Sequence, residues 1–307
     1  ALQGQTPGVQ ITTMSGQPGD GFKVLVRGVG TIHNSAPLYI VDGVQVSDID
    51  HINNSDIESI DILKDGASAA IYGSQGANGV VLITTKGGTK GGARISFDAY
   101  YGIQNIARKP PMLNAKQYAM IMNEQNINSG GMPYFTNEEI VALGSGTNWT
   151  NEMFDNGAPT QSYTLSATGG SDMSVYSMSL GYTSQAGVVA GSDYSNYERF
   201  SFRINTEHNL YKNIVKVGQH ATFTYVKNRG IDTGNQYNNS LRGALNTSPL
   251  LPMYDDNGQF VNTDISTHQI NGQTWNTWYN GESNPYAQMV YTNQNRTATQ
   301  KLVGDVY

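Results

Sequence analysis

From about Gly92 onward the chain alternates apolar and polar residues with a period of two. In SYTLSATG, Tyr163, Leu165 and Ala167 share one face, and Ser162, Thr164, Ser166 and Thr168 share the other. SVYSMSLGYT sets Tyr176, Met178, Leu180 and Tyr182 against Ser177, Ser179, Gly181 and Thr183. RISFDAYYGI, RFSFRIN and VKVGQHATFTYV repeat the split, with Phe97, Phe200, Phe202 and Phe223 on the apolar side. A period of two belongs to the β-strand, whose successive side chains point to opposite faces. Each run is about ten residues or longer, the span that a tilted strand needs to cross a bilayer. A soluble antiparallel sheet with one solvated face would show the same alternation.

The connections separate these two possibilities. GGSD joins the runs near Ser162 and Ser174, and HNLYKN joins those near Arg199 and Val215. The other connections are long: Gln104 to Pro159, Gln185 to Asn196, and Asn228 to about Asn295. Strict alternation of short and long connections is what an outer-membrane barrel shows, with periplasmic turns and extracellular loops. The strand from Arg94 is then expected to rise from the periplasm, and Lys301 to Tyr307 to belong to a sixth, descending strand. An open sheet in lipid leaves its edge N–H and C=O groups unpaired, so about six strands are expected to be part of a larger closed barrel.

The first 92 residues have a different grammar. Short runs, VQITT, KVLVRGV, LYIVDGV, SIDIL and VVLITT, predict a mixed α/β unit. Asp42-Gly43 between LYIV and VQV is a two-residue hairpin signal, since both positions tolerate positive φ. IESIDILKDGASAAIYGSQGANGVVLITTKGG, Ile57 to Gly88, invites a phosphate-loop interpretation. That loop needs glycines leading into a helix N-terminus. Here the helix-like ASAAIY comes first and a strand follows GSQGANG, so Gly73 is expected to cap the helix in a left-handed conformation. Gly76 and Gly79 then serve a reversal. GVGTIH after Arg27 carries only part of a dinucleotide fingerprint, with no helix pattern behind it.

Composition narrows the function classes. The chain has 307 residues and 14% charged residues, well under the roughly 25% of an average soluble domain. A net charge of −6 gives no basic footprint for nucleic acid. There are no cysteines, hence no disulfides or thiolate metal sites. No run reaches the roughly 18 apolar residues of a membrane helix, which leaves a β-barrel open. The start, ALQGQTPGV, lacks the basic and apolar regions of a signal peptide. The five histidines, His33, His51, His208, His220 and His268, show no ligand spacing. YDDNGQF, Tyr254 to Phe260, lacks the spaced ligands of a calcium loop and predicts a tight turn. No carboxylate pair stands out for glycoside hydrolysis, so neither metal, cofactor nor catalytic residue is expected. The acidic residues Asp48, Asp50, Asp56, Glu58 and Asp61 are expected at a solvated periphery.

RGVGTIHNSAPLYIVDGV followed by DIESIDILKDGASAAIYGSQGANGVVLITTKGG resembles the plug-domain signature of the SusC-like (SusC/RagA) family of TonB-dependent transporters. The likeness covers nearly all of Leu2 to Gly92; the remainder matches only in pattern. Gly66 stands where the family commonly has alanine, and Gln75 where arginine is frequent. The resemblance implies a mixed α/β plug, 1–92, inside a transmembrane antiparallel β-barrel of about 22 strands, with 93–307 supplying the first strands and extracellular loops. It also implies a bacterial outer-membrane location, energy from the TonB complex through a segment outside this chain, a SusD-like lipoprotein lid, and an oligosaccharide or peptide cargo. A surface binding protein or adhesin anchored by its barrel is the rival, but an anchor has nothing for a plug to gate. His33, Asn34 and Ser35 offer hydrogen bonds to a polar cargo or form an ordinary surface turn. Trp275, Trp278 and Tyr279 suit either stacking on sugar rings or packing against the lid, since aromatic residues are enriched at interfaces.

Overall fold

The computed structural model describes residues 7–13, 15–28, 31, 35–211, 214–231, 239–261, 269–270, 273–274, 283–292 and 296–307. Six short strands build the N-terminal unit: β1 (Val9–Thr13), β2 (Phe22–Val26), β3 (Leu38–Val41), β4 (Val44–Val46), β5 (Ile57–Leu63) and β6 (Val80–Thr85). β1 and β2 pair as an antiparallel ribbon. The other four form a sheet of order β4-β3-β6-β5, in which β3 runs parallel to β6. At the β3–β4 turn Asp42 and Gly43 have φ of 48° and 88°, the positive pair that a two-residue hairpin requires. The Asp42 carboxylate also accepts from the Thr85 amide at 2.8 Å and the Thr85 hydroxyl at 2.6 Å, tying the turn to the end of β6.

Alternation along β3 and β6 buries both faces of this sheet. Ile40 and Val80 pack with Ala69 of α1 (Gly66–Ala69). Tyr39, Val41, Val81 and Ile83 pack with Val46 and Ile52 on the other side. The expected helix stop at Gly73 differs in detail. Gly73 has φ 59° and ψ −146°, outside the left-handed helical region, and kinks a 3-10 stretch that continues from Ala70 to Asn78. The glycine therefore bends the segment, and the reversal into β6 falls at Gly79, whose φ is 91°.

The rest of the chain is a strand wall. β7 (Gly91–Gln104), β8 (Ala158–Gly170), β9 (Ser174–Ala186), β10 (Asn196–Leu210) and β11 (Val215–Arg229) pair each with its sequence neighbour. Between β7 and β8 stand α2 (Ala115–Asn128), α3 (Asn137–Ala142) and α4 (Trp149–Met153), and between β9 and β10 stands α5 (Gly191–Tyr194). After β11 come α6 (Ser240–Asn246), a small ribbon of β12 (Gln269–Ile270) and β13 (Gln273–Thr274), α7 (Pro285–Thr292) and β14 (Thr297–Val306). β14 returns to pair with β11, giving a six-stranded antiparallel sheet. NAKQYAMIMNEQ and TNEEIVALG form α2 and α3, each opened by a capping box, Asn114 with Gln117 and Thr136 with Glu139. YDDNGQF closes as a tight turn, with Tyr254 bridged to Phe260 and Asp255 Oδ1 accepting from the amides of Asn257 and Gln259.

Register fixes what each face of the wall does. Phe97, Leu165, Leu180, Phe202, Phe223 and Leu302 lie opposite one another in one row across all six strands, and all six side chains are exposed. The row beside it, Thr164, Gly181, Ser201, Thr224 and Lys301, belongs to the opposite face. There Thr164, Ser201 and Thr224 are buried, because the N-terminal unit lies on them. The six exposed apolar side chains thus point away from the protein's own core.

Candidate functional site

The site is the polar seam where the N-terminal unit meets the inner face of the wall. The segment Asp48–Asp56, between β4 and β5, runs along it. Lys301 of β14 grips Asp48 through both carboxylate oxygens, at 2.9 and 3.0 Å. Thr224 of β11 donates to the His51 carbonyl at 3.3 Å. Asn53 donates to Ser201 of β10 at 2.8 Å and accepts from the Arg199 guanidinium at 2.7 Å; Arg199 also donates to the Asp50 carbonyl. Close approach here needs glycine in β9: a Cβ on Gly181 would fall 2.3 Å from Asn53 Nδ2.

One row further along, Asp56 meets Arg203, both side chains almost wholly buried, at 3.4 Å. Ser179 donates to the other Asp56 oxygen at 2.8 Å. Arg203 donates in addition to the Lys86 carbonyl at 2.8 Å and the Ser177 hydroxyl at 3.1 Å. The Asn205 amide sits 2.8 Å from Thr85 Oγ1 in the same group. A buried charge pair offsets its desolvation only when further hydrogen bonds complete its shell, and these serines and carbonyls do so. Among the described residues, the Nε atoms of Arg199 and Arg203 and both ring nitrogens of His51 are buried without a hydrogen-bond partner.

Charge is sorted along the seam. Burial opposes ionisation of Asp48, yet the Lys301 ammonium, with help from the Ser47 hydroxyl and His51, holds its carboxyl below the ordinary value. Burial pushes Asp50 up, and the neighbouring Asp48 adds to the shift. Burial pushes the His51 imidazole down, and Lys301 does the same, against the pull of Asp48. Beside the seam a cavity of about 550 Å³ opens between the two units, lined by Asp20, Asp50, Asn54, Asp98, Tyr100 and Arg199 among others.

This arrangement corrects the expectation of a solvated acidic periphery. Asp50, Glu58 and Asp61 are exposed and Asp48 is half-buried, but Asp56 is 3% exposed and carries the deepest contact with the wall. Among the sequence-derived site residues, His33, Asn34, Trp275, Trp278 and Tyr279 lie outside the described residues. Ser35 is half-buried, three residues ahead of β3. Of the seam residues, Asp48, Asp50 and Asp56 were singled out only as a solvated periphery, and their partners on the wall were not singled out as a site. The available signal was Arg199 and Arg203 flanking Ser201, with Asn205 beyond, on the wet face of one strand.

Chemically, the seam can hold a folded body against a strand wall by contacts that are polar, numerous and individually exchangeable with water. Residues 1–80 match the family model described as TonB-dependent Receptor Plug Domain. TonB-dependent receptor P26 of Formosa agariphila is 35% identical over 317 residues, covering 100% of this chain and 29% of that protein. TonB-dependent receptor SusC of Bacteroides thetaiotaomicron is 29% identical, covering 99% of this chain and 30% of that protein. The structure of the RagAB peptide transporter superimposes with a TM-score of 0.77 at 26% identity, over 99% of this chain and 36% of its own. The chain thus spans about a third of these proteins. An α/β unit seated on the polar face of an antiparallel strand wall, in a sequence that aligns along its whole length with such receptors, places this chain in the SusC-like family of TonB-dependent receptors.

Proposed function

We propose that the chain is the plug and the first six strands of an outer-membrane active transporter that takes up an oligosaccharide or a peptide. Residues 1–92 are the plug and 93–307 the opening strands with their extracellular loops. The observation that carries this reading is the pair of opposed faces: an unbroken apolar row outward, and an inward polar row satisfied by the plug. Lipid on one side and a removable stopper on the other account for both. The TonB complex drives the plug aside through a segment outside this chain, and a SusD-like lipoprotein covers the mouth. The likeness to RagAB supports a peptide as one of the two cargo classes, since that protein is a peptide importer. His33, Asn34 and Ser35 offer hydrogen bonds to the cargo, while Trp275, Trp278 and Tyr279 pack against the lid or stack on the cargo's sugar rings.

The test is uptake by cells carrying the full-length receptor, supplied with labelled oligosaccharides and oligopeptides before and after collapse of the proton-motive force. Energy-dependent accumulation of one class is expected. Surface binding that persists unchanged without energy, with no accumulation, would replace transport by the adhesin reading. Trp275→Ala with Trp278→Ala is expected to weaken capture of the lipoprotein; unchanged capture and unchanged uptake would remove that cluster from both roles.

A further inference from the structure

We infer that cargo crosses along the inner face of β7 and β8, past Asp98, Tyr100, Ser162, Thr164 and Ser166, while the plug stays docked on β9, β10, β11 and β14. The inference rests on the reading above that these strands belong to an outer-membrane importer with its long connections outside.

The plug's grip on this wall is one-sided. Its hydrogen bonds to the strands reach β9 at Ser179 and Gln185, β10 at Arg203 and Asn205 among others, β11 at Thr224 and β14 at Lys301. Among the described residues, β7 and β8 hold no hydrogen bond or ion pair to the plug. Undocking from the seam strands the buried Asp56–Arg203 pair, a costly step. Parting from β7 and β8 breaks no bond of this kind. A cavity of about 550 Å³ already stands on that side. Its wall lining is the cross-strand row Tyr100, Ser162, Thr183 and Arg199, with Asp98 and Thr164 in the next row toward the periplasm.

The same inner face continues below the cavity as a polar track. Ser96 lies opposite Ser166 and Arg94 opposite Thr168, the β7 members exposed and the β8 members half-buried. Thr164, 4% exposed, marks the level at which the resting plug shuts this track. Small hydroxyls leave room and both donate and accept, so a polar cargo exchanges its water for wall groups at each level. Opening the track asks little of the plug. Besides the docked segment 49–55, the plug side of the cavity is the turn 19–22 between β1 and β2, a ribbon separate from the four-stranded plug sheet. That turn lies flat on Tyr197, where a Cβ on Gly19 would fall 2.1 Å from the ring. Its hydrogen bond to the strands is the one from the Gly19 amide to Gln185, at 3.2 Å. Displacing 19–22 widens the cavity without disturbing Asp48, Asn53 or Asp56, so the plug is moved aside at one turn and not lifted off the wall.

The experiment places single cysteines in the full-length receptor, otherwise free of cysteine, and treats intact cells with an impermeant fluorescent maleimide, with and without a proton-motive force. Ser166→Cys is expected to label about ten-fold faster in energised cells, as a locally opened region does. Thr224→Cys, on the docked side, is expected to stay unlabelled in both states. Equal labelling of the two in energised cells would mean that the whole plug leaves the wall, and would overturn the route. A second arm joins plug to wall through Asn53→Cys and Ser201→Cys, whose parent side chains are 2.8 Å apart. Equal uptake before and after reduction of that disulfide with dithiothreitol is expected; uptake that appears only on reduction would overturn the docked seam. Variants are read where the plug resists protease as in the parent. Should Thr224→Cys fail that check, Ser201→Cys alone replaces it, and Asp48→Cys with Lys301→Cys replaces the joined pair. The same labelled oligosaccharides and oligopeptides as above are supplied in parallel. Accumulation without labelling of Ser166→Cys overturns the route alone, whereas no accumulation of either class in the parent overturns the transport reading and the route with it.

Discussion

At Asp56 and Arg203 two opposite charges lie almost out of reach of water, one on the plug and one on the wall. Removing one partner strands the other, which costs about 3–5 kcal/mol, whereas replacing both by apolar groups of similar size is often neutral. Arg203→Met should therefore loosen the plug strongly, and Arg203→Met with Asp56→Leu should recover most of the loss. Hydrogen exchange of residues 52–57 and 83–86 in the full receptor measures it; equal protection in parent and single variant would deny the pair its role. His51 supplies a pH dependence at the same seam. Its folded pKa is depressed by burial and by Lys301, so the docked plug prefers the neutral ring. Its stabilising share is complete above the free histidine value of about 6.5 and drains as pH falls toward the lower folded value. The depressed carboxyl of Asp48 acts in the same direction but only near and below about 3.9, and the raised Asp50 acts in the opposite direction. Between pH 7.5 and 5.5 plug protease resistance should fall in the parent and stay flat in His51→Phe; a parent with no slope would remove His51 from the balance.

A strand of this wall is defined by its two faces. Leu180 points outward at 56% exposure while its neighbour Ser179, at 3%, meets Asp56. Placing arginine at Leu180 puts a charge near mid-membrane and should cost about 2–4 kcal/mol in a folding titration of the receptor in bilayers, as lipid-facing charges in barrels do. A cost near zero would mean that this face does not meet lipid. This level of organisation was legible in the chain because a period of two survives any tertiary context, and because connection length sorts with barrel side. The hairpin at Asp42-Gly43 was legible because it is decided within a few residues; the capping boxes at Asn114 and Thr136 are findings of the structure. The seam was not. Asp56 resembles any acidic surface residue until Arg203, 147 residues away, is brought onto it, and no local pattern carries that pairing. The kink at Gly73 escaped similarly, since its ψ depends on how the segment packs and not on the glycine alone.

Among the described residues the plug sheet carries an apolar cluster on each face and the long connections build a further one, toward which one side chain of the plug reaches. The plug sheet packs around Val81 and Ile83. The long connections build their own core from Trp149 and Met153 of the first, Val189 and Ala190 of the second, and Ile231, Leu251, Val261 and Met289 of the third. Trp149, 1% exposed, also donates to the Ser248 carbonyl at 3.0 Å. Between β1 and β2, Gln17 of the plug donates to the Ile231 carbonyl at 2.8 Å and accepts from the Ile231 amide at 3.1 Å. Ile231 is itself a member of the loop core, so the order of the plug ribbon and of the cap meet at one backbone unit. Distant sites with no shared partner behave additively, and sites joined through one do not. Trp149→Ala should cost the cap about 3–5 kcal/mol and raise exchange across 240–261 while leaving 38–85 protected. Gln17→Ala removes two hydrogen bonds, about 1–3 kcal/mol with a buried partner left unpaired, and should raise exchange on both sides, at 15–26 and at 230–251. If Gln17→Ala loosened only its own ribbon, the loop core would be held without the plug, and movement of the plug would leave the extracellular cap unchanged.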